Sequence, residues 1–138
     1  MMANQSHLRV MLLMLTALLT SGCITTLAEI RTMDPILEIR QPIRYDRWAR
    51  CTLKELESVA PIGSSYRYVD DPDQKVASIL QHGVGTPPFS ELTIQQRDSQ
   101  FAEAQLRSRW FFFRDKAIER VQTALNKCAR VEISQPKL

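Results

Sequence analysis

Three groups of residues in this chain are of types that could do chemistry: the cysteines at 23, 51 and 128, the histidine at 82, and the aspartates at 70, 71 and 73. Cys51 with His82 is the pairing that would supply a nucleophile and its base, as in a small cysteine-dependent hydrolase. No local signature of that chemistry surrounds either residue, and no orienting partner for the imidazole is evident. His82, in "QHGVG", reads instead as a strand-end residue before a glycine turn. A metal centre needs several histidine or thiolate ligands held together, and His82 is the one histidine beyond the N-terminal region, so no metal and no cofactor is expected. Gly83 and Gly85 form a G-x-G, but Pro87 follows closely and no helix opens there, which argues against a phosphate cradle. Asp70, Asp71 and Asp73 surround Pro72 and lack the further spaced carboxylates and glycine of a calcium loop; they read as a turn. There is no C-x-x-C for redox exchange.

The stretch "RSRWFFFRDK" (107 to 116) is the one locally unusual composition. Four consecutive aromatics at a strand-to-helix junction cannot all point inward. Arg109, Trp110, Phe111, Phe112 and Arg114 therefore form the candidate partner-binding patch, since exposed aromatics beside arginine are the composition of an interface hot spot. Against this stands the plainer reading in which Trp110 and Phe113 enter the core and the other two cover the end of the sheet.

The elements that must position these residues are legible from their periods. In "YDRWARCTLKELESVAP", Asp46 is the expected N-cap and Pro61 the stop, and Tyr45, Trp48, Ala49, Thr52, Leu53, Leu56 and Val59 fall on one side of the wheel. The period then changes to two: "SSYRYV" (64 to 69), "KVASILQ" (75 to 81), "SELTIQQ" (90 to 96) and "QFAEAQLRSRW" (100 to 110) alternate, separated by the turn-forming "DDPDQ", "HGVGTPPF" and "RDSQ". In the last strand Ala102, Ala104 and Leu106 share one face and Glu103, Gln105 and Arg107 the other, predicting one covered face and one wet face. A final helix from Asp115 places Ala117, Ile118, Val121, Ala124, Leu125 and Cys128 together. The expected fold is α+β: a two-layer sandwich of about four antiparallel strands with two helices packed on one face. Residues 45–131 form that domain, 23–44 read as a tether with a short edge strand at 36–40, and 132–138 read as a loose tail.

At 138 residues the chain suits one core, and 44% hydrophobic with 24% charged residues is ordinary globular composition. Its 18 basic residues are interleaved with 15 acidic ones for a formal charge of +3, which argues against a nucleic-acid partner.

Residues 1–22 look like an address. Arg9 precedes the apolar run "VMLLMLTALL" (10 to 19), broken only by Thr16 and followed by Thr20, Ser21, Gly22 and then Cys23. Ten residues at ~1.5 Å each cover only about half of a ~30 Å hydrocarbon layer. The end of the run, "LTSGC", resembles the lipobox of bacterial lipoproteins, with Thr20 standing where the pattern prefers Leu. This resemblance covers only residues 1–23 and implies cleavage before Cys23 with acylation of its thiol and new amine. Ile24, rather than Asp, after the cysteine is similar to the default for the outer membrane over the inner. The competing reading is an uncleaved signal anchor, since Val10 to Ala28 are uncharged, although five of the last nine are Thr, Ser or Gly. If Cys23 is acylated, the odd cysteine disappears and Cys51 and Cys128 remain as a pair in an oxidising compartment.

The functional expectation is a non-catalytic interaction or structural module of the bacterial envelope, lipid-anchored with its domain in the periplasm and partnered by another envelope protein. The alternatives are the Cys51–His82 hydrolase and a signal-anchored accessory subunit of an export complex.

Overall fold

Alternating residues build the sheet, and the computed structural model describes the chain at residues 27–109 and 114–135. In order, the elements are α1 (Leu27–Thr32), β1 (Leu37–Gln41), α2 (Tyr45–Ser58), β2 (Ser64–Asp71), β3 (Val76–Gly83), β4 (Ser90–Gln96), β5 (Ala102–Ser108) and α3 (Arg114–Ser134). β2 to β5 form an antiparallel meander in which Ile79 lies opposite Leu92 and Ile94 opposite Ala104. β1 pairs with the outer edge of β5, Ile39 opposite Ala104, so the sheet has five strands in the order β1-β5-β4-β3-β2. The expectation of about four strands is one short. Pro35 and Pro42 bracket β1 and confine it to five residues, as befits an edge strand without amide donors at its limits.

The covered face is apolar. Ala77, Ile79, Leu92, Ile94, Ala104 and Leu106 meet Trp48, Ala49 and Leu56 of α2 and Val121, Leu125 and Cys128 of α3 in one buried cluster. α2 follows its predicted stripe except at Val59, which is 54% exposed just beyond the helix. Its N-cap is Arg44, not Asp46, and Arg44 makes no side-chain cap. The free amide at Tyr45 is satisfied instead by Gln96 Oε1 at the end of β4, 3.0 Å away, a tertiary substitute for a local cap. α3 runs antiparallel to α2 and continues through Ser134, so residues 132–134, expected in a loose tail, are helical.

Two contacts fix the helix pair. Trp48 Nε1 donates to the Leu125 carbonyl at 3.0 Å, which satisfies a fully buried indole. Cys51 and Cys128 are joined by a disulfide, Cα to Cα 5.7 Å, across 77 positions of sequence. The loop it closes would have its unfolded-state entropy reduced by about 4.5 kcal/mol at 25 °C in the chain-entropy model.

The opposite face is not the wet surface that alternation implied. α1 packs there against β4 and β5, adding a third helix on the side the expected sandwich left bare. Ile30 and Leu80 are buried on this side, outside the main cluster. Glu91 is 1% exposed, and Arg31 of α1 closes over it with Nε 3.2 Å from both carboxylate oxygens and Nη2 2.9 Å from one. Residues 27–41, read by sequence as a tether with a short edge strand at 36–40, thus supply that strand and an unexpected helix to the domain.

Candidate functional site

The sheet has two differently built ends. At the first, the 59–63 loop enters β2, the 84–89 loop joins β3 to β4, and β5 finishes. At the second, β1 turns through Pro42 into α2, β2 turns into β3 around Pro72, and β4 turns into β5 through residues 97–101.

An open cleft lies at the second end. Its larger part, about 770 Å³, is bounded by Ile43, Arg44, Arg47, Gln100, Phe101 and Glu132, and a neighbouring part of about 610 Å³ extends along Arg97 and Lys75. The hairpin turn that forms one wall is locally determined. Asp98 Oδ1 accepts from the amides of Gln100 and Phe101 at 2.7 and 2.8 Å, and those two bonds hold its carboxyl below the usual aspartate range. Arg97 N donates to the Phe101 carbonyl at 2.9 Å, closing the turn. Gln96 then ties the turn to α2, donating through Nε2 to the Asp98 carbonyl at 2.9 Å while its oxygen accepts from Tyr45 N at 3.0 Å.

This wall presents Phe101, 40% exposed, beside exposed arginines. Arg44 forks onto Asp46 at 3.2 and 3.0 Å, whereas Arg47 reaches Glu132 of α3 only at 3.8 Å. Tyr45 donates its hydroxyl to Asp70 at 3.3 Å, and burial followed by the Asp70 charge raises its phenol above the ordinary value. A small-molecule pocket is enclosed and mostly apolar. This cleft is open, its lining shared between Arg, Gln and Ser and the apolar Ile43 and Phe101, and is suited to a protein surface carrying an apolar side chain flanked by carboxylates.

Charges on the α1 side of the sheet are committed elsewhere. Glu103 is 5% exposed and accepts from Arg97 at 2.6 Å and from Arg40 at 2.6 Å. Desolvation pulls its carboxyl upward, but the hydrogen bonds and charges of the two arginines outweigh it and leave the pKa lowered. Gln105 links Glu103 to Glu38, and Arg107 links Gln105 to the Met33 carbonyl, so the row is a closed polar network.

The residues singled out by sequence fall in several places. Arg109 directly follows β5 and pairs with Glu29 of α1 at 3.5 Å, and its amide donates to the Phe89 carbonyl at 3.0 Å. Arg114 is exposed at the start of α3. Trp110, Phe111 and Phe112, and likewise Cys23, lie outside the described residues. Cys51 and His82 are kept apart: Cys51 sits on α2 over the covered face, its sulfur bonded to Cys128, while His82 shares the opposite face with Ser65. The His82 ring lies 3.4 Å from Ser65 Oγ and 3.3 Å from the Gly83 carbonyl, neither of which is a carboxylate that would orient it as a base. Among the described residues no cluster of three His, Cys, Asp or Glu side chains could hold a metal ion, and no helix is long and apolar enough to cross a membrane. Sequence reasoning missed the cleft because "PIRYDR" and "QRDSQF" are some fifty positions apart; the only local signal was the turn chemistry of "RDSQ".

No protein-family model matches this chain, and no curated protein or solved structure matches it either.

Proposed function

We propose that this is a lipoprotein of the bacterial cell envelope, held on the membrane through an acylated Cys23, whose α+β domain is a non-catalytic interaction module in the periplasm. One observation carries the reading: the bond between Cys51 and Cys128. It supports export because such bridges persist in oxidising compartments and are rare where thiols are kept reduced. It also leaves Cys23 as the third cysteine, outside that bridge, consistent with acylation of its thiol. The same bond weighs against a hydrolase, which would need the Cys51 thiol free. The similarity of "LTSGC" followed by Ile24 to lipoprotein signals favours the outer membrane over the inner.

The partner on this reading is another envelope protein, and the cleft that combines Phe101 with Arg44 and Arg47 is the surface best suited to it. Co-purification from detergent-solubilised membranes tests the assignment, using Phe101→Ala/Arg47→Ala and, in parallel, Phe111→Ala/Phe112→Ala. Partner loss in the first variant alone is expected. Loss only in the second would move the interface to the aromatic stretch, and unchanged partners in both would contradict either surface. Free-thiol titration of the mature protein addresses the chemistry directly: no reactive thiol is expected, and an alkylation-sensitive activity at Cys51 would replace this reading.

A further inference from the structure

The end of the sheet opposite the cleft has a construction of its own. Ile62 is 107% exposed and Val84 is 88% exposed, more than any other large apolar side chain among the described residues. Each is followed by a glycine in the left-handed region, Gly63 at φ 81° and Gly85 at φ 67°. A Cβ at either glycine would meet nothing, so it is the turn conformation and not crowding that calls for glycine there. The two tips are tied together, Val84 N donating to the Gly63 carbonyl at 3.2 Å, and Gly83 N donates to Thr86 Oγ1 at 2.9 Å. Two apolar residues are thus held at the tips of linked tight turns. Such side chains find a favourable environment where apolar matter meets a polar rim.

The chain's membrane attachment leads to the same end. α1 lies beside the close of β5 and the start of β4, through Glu29 to Arg109, Arg31 to Glu91 and the Met33 carbonyl to Arg107. Only three residues separate Cys23 from Leu27, so their Cα atoms are at most ~14 Å apart. The tips on β2 and β3 are two to three strand spacings from β5, about 10–14 Å across the sheet, whereas the cleft is about 25 Å away along the strands. Counting ~1.5 Å per residue, Arg114 lies about 21 Å along α3 from Cys128, but α2 extends only about 10 Å from Cys51 to its end, so the first turn of α3 projects beyond α2 at this end. Arg114 and Lys116 are exposed there, on either side of Asp115.

We propose that this end of the domain docks on the lipid surface, with Ile62 and Val84 entering the interfacial layer and the Phe101 cleft directed away from it. The proposal rests on the acylation of Cys23 put forward above. The short link and the placement of α1 hold the tips near the headgroups, where apolar side chains bury in the boundary between headgroups and acyl chains.

The test uses the full mature protein reconstituted in vesicles of phosphatidylethanolamine and phosphatidylglycerol. Ile62→Cys, Val84→Cys and, in the turn at the other end, Asp73→Cys each introduce a single reactive thiol for an environment-sensitive fluorophore. Quenching by spin-labelled lipid should be several-fold stronger at positions 62 and 84 than at 73, with blue-shifted emission at the first two. Equal quenching at all three positions, or stronger quenching at 73, would overturn the orientation. Mass analysis of the N-terminal peptide reads acylation separately: an acylated chain without quenching at 62 and 84 removes the docking alone, and an unmodified Cys23 removes both docking and anchor.

Discussion

At the residue scale, two buried polar groups make opposite predictions. Thr52 is fully buried in α2, and its hydroxyl has no hydrogen-bond partner among the described residues. An unsatisfied buried hydroxyl is a cost, so Thr52→Val should raise unfolding stability by about 0.5–1.5 kcal/mol in urea titrations. Glu103 is the reverse, a buried carboxylate satisfied by Arg40 and Arg97. Its folded pKa lies below the ordinary 4.5, so its stabilising contribution is complete above about that pH and is lost as pH falls through the lowered value. Glu103→Gln should destabilise by about 1–3 kcal/mol at neutral pH, because hydrogen bonds to a charged group are lost. The gap between variant and wild type should narrow in acid, and a difference independent of pH would show that the charge is not what matters. The burial of Thr52 was legible in sequence, since it falls on the α2 stripe, but that of the carboxylates was not. Alternation places Glu91 and Glu103 on the solvent side, and Arg31 and Arg40, which cover them, come from some sixty positions earlier.

At the element scale, α1 is held by the buried Ile30 and by two ion pairs, Arg31 with the buried Glu91 and Glu29 with Arg109. Removing the cation would leave Glu91 buried without its partner, so Arg31→Ala should cost about 1–3 kcal/mol, with water access to the exposed arginine side limiting the loss. Amide exchange in Leu27–Thr32 should quicken in that variant, while exchange in β3 stays slow. Arg31→Met/Glu91→Leu should recover most of the stability. The helix pair on the other face depends on its bridge. Cys51→Ala/Cys128→Ala should lower stability by about 2–4 kcal/mol in denaturant titrations, less than the full entropic value because unfolded chains keep residual structure and so have less entropy for the bridge to remove. The four strands of the meander were readable to within two residues at each end because alternation and turn chemistry are local signals. β1 was readable to within one residue, 36–40 against Leu37–Gln41, because Pro35 and Pro42 bracket it, whereas α1 was not, since a six-residue helix has little period of its own and owes its existence to β4 and β5. The Arg44 cap and the Gln96 bond to Tyr45 were invisible for the same reason, a partner 51 positions away.

At the scale of the whole molecule, the proposed roles fall at opposite ends of the sheet, a lipid surface at one and a protein partner at the other, with the domain between them tied by a disulfide. The candidate cleft was absent from the sequence reading because it is made by the meeting of a strand exit, a helix start and a hairpin turn, none of which carries a motif. Cys23, by contrast, was legible only in sequence, through the apolar run that ends at it. The central claim is that this cysteine anchors the exported domain. Labelled palmitate incorporation in cells expressing wild type and Cys23→Ala, read together with membrane fractionation, tests it most directly. Label and membrane association are expected in the wild type and loss of label in the variant; an unlabelled wild type would contradict the anchor.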